Sequence, residues 1–284
     1  MIEKLRMKKR LKFISVLVLL SLSLSTVSAQ KNITILATND THSRIEPLPE
    51  TDKNNPGMGG VEARSAFINK IRNEYPNVLL FDAGDFVQGT PYFNLFHGRV
   101  EAQVMNQIKY DAGTLGNHEF DYGIDTLKMI IDKLNFPIVS CNYDFSGTPL
   151  REKVKPYVIL KRFGLKIGVL GVGADPEGLI QKNNYEGMIF NPILPSVNHY
   201  SDILKNKEKC DLIICLSHIG YTGDIELAKQ SKYIDIIIGG HSHTFMEEPD
   251  TRKNAKNKDV MIFQTGKNGA YINKFDVKLD KKKK

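Results

Sequence analysis

Five times along this chain a run of mostly apolar residues stops abruptly at Asp, Asn or His. Ile33-Thr34-Ile35-Leu36-Ala37-Thr38 runs into Asn39-Asp40-Thr41-His42, and Val78-Leu79-Leu80-Phe81 into Asp82-Ala83-Gly84-Asp85. Asp111-Ala112-Gly113-Thr114-Leu115 leads to Gly116-Asn117-His118-Glu119-Phe120-Asp121. Leu212 to Leu216 ends at Ser217-His218, and Ile234 to Ile238 at Gly239-Gly240-His241-Ser242-His243. Short β-branched runs bounded in this way read as buried strands. In α/β proteins ligands gather beyond strand C-termini, so five polar clusters at strand ends restrict the chain to a fold that brings those ends together.

The segments between fit that fold. Helices are expected over Val61–Tyr75, with Val61, Ala63, Phe67, Ile68 and Ile71 on one face and Pro76 as terminator, and over Arg99–Tyr110. Three more are expected over Ile124–Leu134, Ser196–Lys209 and 224–232. Further strands are expected at Pro137–Cys141, Val260–Gln264 and Tyr271–Leu279, with a hairpin about Arg162-Phe163-Gly164 and irregular chain over 175–195. The pattern predicts one α/β domain: a two-sheet β-sandwich flanked by helices. Neither a GxGxxG nor a Walker loop is present, so a dinucleotide or P-loop fold is rejected.

The formal charge of +7 sits at the ends: +5 in residues 1–29 and +4 in Lys281–Lys284, leaving −2 in the body. Nothing here points to nucleic acid. The basic start, the apolar Phe13–Leu20 and the small-x-small Val27-Ser28-Ala29 read as a secretory signal. Cleavage near Ala29 would leave about 255 residues, exported to a periplasmic or extracellular address with no stable membrane span. Residues 30–280 would be the folded domain and 281–284 a solvated basic tail. The three cysteines, none in a CxxC spacing, read as small buried hydrophobes, although a Cys210–Cys215 disulfide stays open.

Taken singly, a DxH or an Asp after a strand is more often a cap than a ligand, and His218 alone is more often a core histidine. Together they make a pattern, because five of the seven histidines fall in these clusters and only His97 and His199 do not. Residues i and i+2 of an extended segment face the same way, so Asp40 with His42, and His241 with His243, can aim two ligands into one cavity. Imidazoles with carboxylates and an amide, without thiolates, suit Zn, Mn, Fe, Co or Ni. Seven candidates, Asp40, His42, Asp85, Asn117, His218, His241 and His243, exceed one tetrahedral ion and fit two divalent ions bridged by a carboxylate.

In order and spacing these motifs resemble the metallophosphoesterase (calcineurin-like) signature. Gly116-Asn117-His118-Glu119-Phe120-Asp121-Tyr122-Gly123, with Gln88-Gly89-Thr90-Pro91 upstream, is similar to the 5′-nucleotidase/UDP-sugar hydrolase family. The resemblance spans roughly residues 31–280 and implies a four-layer α/β/β/α fold. It implies one ion on Asp40, His42, Asp85 and His243 and another on Asp85, Asn117, His218 and His241. It makes His118 the catalytic histidine, with Asp121 orienting it, and places the substrate phosphate on Asn117 and His118. Glu119 gets no role beyond a structural one. The implied substrate is a phosphate ester, a nucleotide in this family, and the implied process nucleotide catabolism. Members usually continue into a second domain that grips the nucleoside, whereas this chain reaches Asp280 and a Lys run. Three readings stay open: a 5′-nucleotidase catalytic half served by a separate nucleoside-binding polypeptide, a broad-specificity phosphomonoesterase or phosphodiesterase acting alone, and a non-catalytic metal- or ligand-binding protein.

Overall fold

A computed structural model describes residues 31–279, so the expected signal segment and basic tail lie outside the described residues. The first strand, β1 (Lys31–Thr38), pairs in parallel with β2 (Val78–Asp82), and β2 with the short β3 (Ala112–Gly113). The last strand, β12 (Asn273–Leu279), returns antiparallel to β1, giving a four-stranded sheet in the order β12-β1-β2-β3. The second sheet contains β5 (Tyr157–Arg162), β6 (Leu165–Gly173), β8 (Leu212–His218), β9 (Ile236–Ile238), β10 (Asp250–Lys253) and β11 (Asp259–Phe263). Its order is β10-β11-β9-β8-β6-β5, parallel from β6 through β11. A minor pair, β4 (Tyr143–Asp144) and β7 (Ile189–Phe190), lies apart.

Side-chain alternation explains the layers. On β1 and β2, Ile33, Ile35, Ala37, Leu79 and Phe81 face one core, shared with Ile167, Val169, Leu212, Ile214, Leu216, Ile236 and Ile238 of the second sheet. Leu36 and Leu80 face the other way, onto Ile68 and Ile71 of α1 (Val61–Glu74), Ala102 and Met105 of α3 (Arg99–Ile108), and Leu127 and Ile130 of α4 (Gly123–Ile131). On the far side Ile213, Cys215 and Ile237 meet Val197 of α5 (Ile193–Asp202) and Leu227 of α6 (Tyr221–Gln230). Two sheets packed on each other and covered by helices make the expected α/β/β/α stack. Strands apolar on both faces are what such layering demands, which is why β8 reads as a continuous hydrophobic run. Each fully buried Ile or Leu in it contributes roughly 1.5–3 kcal/mol.

Local departures have local causes. The buried row of α1 is Arg64, Ile68 and Ile71, while Ala63 and Phe67 face solvent. Tyr75, before Pro76, is extended at φ −120° and ψ 131°, as the proline ring requires, and ends the helix. The expected strand at Pro137–Cys141 is a connector that crosses between sheets. Ile138 bridges to Gly113, and the Cys141 amide donates to the Gly171 carbonyl at 2.7 Å. A Cβ on Gly171 would lie 2.0 Å from the Val139 oxygen, so the crossing needs glycine there. The expected helix at 196–209 starts earlier, at Ile193, and continues past Asp202 as a π turn over Ile203–Lys207. The region 175–195 also holds a 3₁₀ turn, Lys182–Tyr185, as well as β7. The sequence pattern does not announce α2 (Pro91–Phe96), started by Pro91, or the strands β4, β7 and β10. The three thiols are free and buried, so Cys210 and Cys215 form no disulfide, and burial pushes Cys141 up to about 12 and Cys210 to about 11. Among the described residues no helix is long and apolar enough to cross a membrane.

Candidate metal centre

Parallel strands of both sheets end on the same side, and every polar cluster follows one of those ends. Asp40 and His42 follow β1, Asp85 follows β2, Asn117, His118 and Asp121 follow β3, His218 closes β8, and His241 and His243 follow β9. The predicted ligands thus converge from both sheets. Asp40 Oδ1 lies 3.3 Å from His243 Nε2 and 3.8 Å from both His42 Nε2 and His218 Nε2. His42 Nε2 and His243 Nε2 are 3.2 Å apart, and Asp85 Oδ2 is 3.0 Å from His218 Nε2. Asn117 Oδ1 lies 2.9 Å from His241 Nδ1. Ligand atoms of Asp40, His42 and His243, and separately of Asp85, His218 and His241, each fall within 4.8 Å of one another.

The backbone is strained at these positions. Asp40, His42, Asp85, His241 and His243 all have positive φ, between 45° and 76°. Non-glycine residues seldom adopt this conformation, and they persist in it where the surroundings over-determine them. The surroundings here are rigid. Asn39 takes the Thr265 amide at 2.9 Å and donates to the Gly266 carbonyl at 2.8 Å, tying the β1 loop to the chain after β11. Fully buried Gln264 accepts from the Ser242 hydroxyl and the Thr244 amide and donates to Gly240 O, orienting the loop of His241 and His243. Gly116 lies so close to Asp85 that an added Cβ would stand 2.1 Å from Oδ1.

The donor set fits divalent cations. Fully buried His218 donates Nδ1–H to the Ala83 carbonyl at 2.7 Å, which turns Nε2 toward Asp85. That nitrogen, like buried His42 Nδ1, has no hydrogen-bond partner. A lone pair facing a carboxylate oxygen at 3.0 Å needs a proton or a cation between them. Without a cation the field favours the proton: burial alone would lower His218, but Asp85 and Asp40 raise it to about 10. Burial alone would raise Asp85, but His218 holds it well below the usual carboxylate range. Burial takes His42 down to about 4, keeping it neutral as a ligand must be.

Beside these clusters His118 Nδ1 meets the Asp121 carboxylate at 3.0 and 3.2 Å, leaving its other ring nitrogen free. Burial lowers this imidazole, but Asp121 and Asp85 more than offset that and raise it. His118 also falls within ligand distance of His42 and Asp85. Its engagement with Asp121 sets it apart from the other imidazoles. Its ring meets that of His42 edge-on at 5.5 Å.

Glu119 was legible only as an acid without a task. It is buried and accepts the amides of Gly116, Asp85, Phe86 and Val87 at 2.6, 3.0, 2.8 and 3.4 Å. The one sequence signal was its spacing, three residues after Gly116, the reach-back of a capping-box acid. Asp224, fully buried with its Ser217 hydrogen bond, left no such signal.

Comparison with known proteins agrees with this geometry. The family model for calcineurin-like phosphoesterases matches residues 33–245. The chain is 31% identical to the trifunctional nucleotide phosphoesterase protein YfkN of Bacillus subtilis (strain 168), over 88% of this chain and 18% of that protein. It is 32% identical to a snake venom 5′-nucleotidase of Naja atra, over 89% of this chain and 51% of that protein. The crystal structure of a 5′-nucleotidase precursor from Thermus thermophilus superposes with a TM-score of 0.81 at 31% identity, covering 87% of this chain and 51% of that one. The chain thus spans about half or less of the length of these relatives. With the layered sheets, the strand-end Asp and His clusters and the family match in agreement, this chain belongs to the calcineurin-like phosphoesterase family.

Proposed function

We propose that the chain is a binuclear-metal phosphoester hydrolase acting on nucleotides, the catalytic part of a 5′-nucleotidase. One observation carries the proposal: two Asp/His clusters from opposite sheets meet beside a His–Asp pair. Asp40, His42, Asp85 and His243 would hold one divalent ion, and Asp85, Asn117, His218 and His241 the other, Asp85 serving both. Such a pair of ions, Mn, Zn, Fe, Co or Ni, supplies Lewis-acid charge against phosphoryl oxygens and a nucleophile at neutral pH.

The chain's own groups do the rest. Asn117 presents its amide to the substrate phosphate. His118, kept cationic by Asp121, donates to a phosphoryl or leaving-group oxygen as negative charge develops there. The His118–Asp121 pair serves chemistry more than metal retention, which favours catalysis over mere metal binding. Nucleoside selection falls to groups outside the residues described, supplied by a further segment or a separate polypeptide. Supporting this are the exposed Leu95, Phe96 and Tyr122, the last adjoining Asp121, and relatives about twice the length of this chain or more. Residues 1–29 direct export, which N-terminal sequencing of secreted protein near Gln30 checks.

The test is turnover by the purified chain loaded with Mn, using AMP, UDP-glucose and an aryl phosphate. Hydrolysis of AMP supports the proposal. Aryl ester turnover without AMP turnover, even after adding the nucleoside-binding segment of a longer relative, reduces it to a broad phosphoesterase. Two bound ions without turnover of any of the three overturn it.

A further inference from the structure

We propose that Glu119 is a positioning residue of the reaction: its carboxylate locks the Asp85 loop to the Asn117 loop and thereby sets the second metal site. The inference rests on the binuclear reading above. Glu119 Oε2 takes the Gly116 amide at 2.6 Å and the Asp85 amide at 3.0 Å, while Oε1 takes Phe86 at 2.8 Å and Val87 at 3.4 Å. Gly116 immediately precedes Asn117, and Asp85 is the proposed bridge, so one side chain spans two ligand-bearing loops. The contact is reciprocal, because Asp85 Oδ1 accepts the His118 amide at 2.9 Å. Asp85 has φ 55°; beyond β2 the carbonyls of Gly84, Asp85 and Phe86 accept the amides of Asp40, His42 and Ser43, and Glu119 takes the amides of Asp85, Phe86 and Val87, which no strand pairs. Glu119 touches neither cluster's ligand atoms, which separates it from the ligands themselves.

Only an acceptor at both oxygens satisfies this fan. A glutamine, whichever way its amide turns, aims an NH₂ at two backbone N–H groups. The Asp40, His42 and His243 cluster has no bond to Glu119. The ion using Asp85, Asn117, His218 and His241 depends on both tied loops and the other ion only on Asp85, so the former bears the larger loss.

The experiment is Mn titration of the metal-free chain by calorimetry, for wild type, Glu119→Gln and Glu119→Asp, with circular dichroism and thermal unfolding of each metal-free protein. Glu119→Gln is expected to weaken the second ion by roughly 10–100-fold, the range for lost outer partners of metal ligands, and the first ion, which shares only Asp85, by less. Glu119→Asp, with two acceptor oxygens on a shorter arm, is expected to recover part of that affinity. Equal weakening of both ions in both variants, in step with lost thermal stability, overturns the proposal in favour of general loosening. Folded variants that bind both ions like wild type also overturn it. A wild-type chain that binds no Mn instead sinks the binuclear reading on which it rests.

Discussion

Gly116→Ala isolates the demand the centre places on distance. Gly116 is absent from the left-handed positions, so alanine brings no backbone strain of its own. Its Cβ would stand 2.1 Å from Asp85 Oδ1, 2.7 Å from the Asp85 carboxyl carbon and 2.7 Å from the Asp85 nitrogen. Ordinary contact begins at about 3.4 Å, so the carboxylate must retreat by roughly 1 Å, and backbone cannot absorb the remainder. Overpacking of this kind costs about 1–3 kcal/mol of stability. A displacement of about 1 Å in a positioning group costs on the order of 10²-fold in rate. Expected are loss of at least one ion by elemental analysis and a roughly 10²-fold fall in kcat with an aryl phosphate at saturating Mn. Gly89→Ala is the control: its Cβ meets nothing within 4 Å, although φ is +81°, so it should cost stability without turnover. Wild-type metal content and turnover in Gly116→Ala would refute the close packing of Asp85 as the reason for glycine.

Other perturbations read other parts of the centre. His118→Ala should lower turnover by roughly 10²–10⁴-fold with metal content kept, since it removes a proton donor but no ligand; lost metal would make it a ligand. Because Asp121 and Asp85 raise the imidazole against burial, activity needing its proton falls as pH rises through the raised pKa, and Asp121→Asn should move that fall to lower pH in a pH–rate profile. Chelation should lower the thermal midpoint by about 10–20 °C: two ions at 100-fold over Kd stabilise by about 5 kcal/mol, and a chain this size shifts about 2–4 °C per kcal/mol. Burial raises Asp224 to about 8 from its usual 3.8, so the folded chain holds a proton the unfolded chain has lost. Stability of the metal-free chain should therefore fall between about pH 4 and pH 8, by on the order of 1 kcal/mol per unit. Asp224→Asn should flatten that slope in urea titrations, and an unchanged slope would remove Asp224 as its source.

How much of this was readable in advance depends on whether a residue's task was local. The β1 and β8 strands, most helices of the outer layers and the strand-end Asp and His clusters announce themselves through period and abrupt polarity. The connector at Pro137–Cys141 did not, because an apolar run looks alike whether it lies in one ladder or crosses between two. Phe67 was misassigned and Arg64 overlooked on α1 because the choice between two neighbouring stripes is made by the opposing layer. Glu119, Gln264 and Asn39 are hard to read because most of their partners are backbone groups of other loops, brought close only by the fold. The Gln264 side chain serves residues 20–24 positions earlier, and no spacing rule carries that distance.

Proposed ligands drawn from two sheets make the centre depend on how the sheets sit against each other. The first sheet supplies Asp40, His42, Asp85 and Asn117, and the second supplies His218, His241 and His243. Each proposed ion takes ligands from both, so the inter-sheet core sets the ligand distances and the outer cores do not. Leu216 and Leu127 make the comparison, both being fully buried leucines at 0% exposure. Leu216 lies between the sheets two residues before His218, whereas Leu127 lies under α4 in the outer helical core. Truncation of either to alanine costs about 2–5 kcal/mol of stability. Leu216→Ala lets β8 settle toward the opposing sheet and shifts His218 against Asp85, so metal affinity should fall with stability. Leu127→Ala should lose stability alone, with Mn binding by calorimetry unchanged. Equal losses of affinity in the two variants would show that the centre follows overall stability rather than the spacing of the sheets.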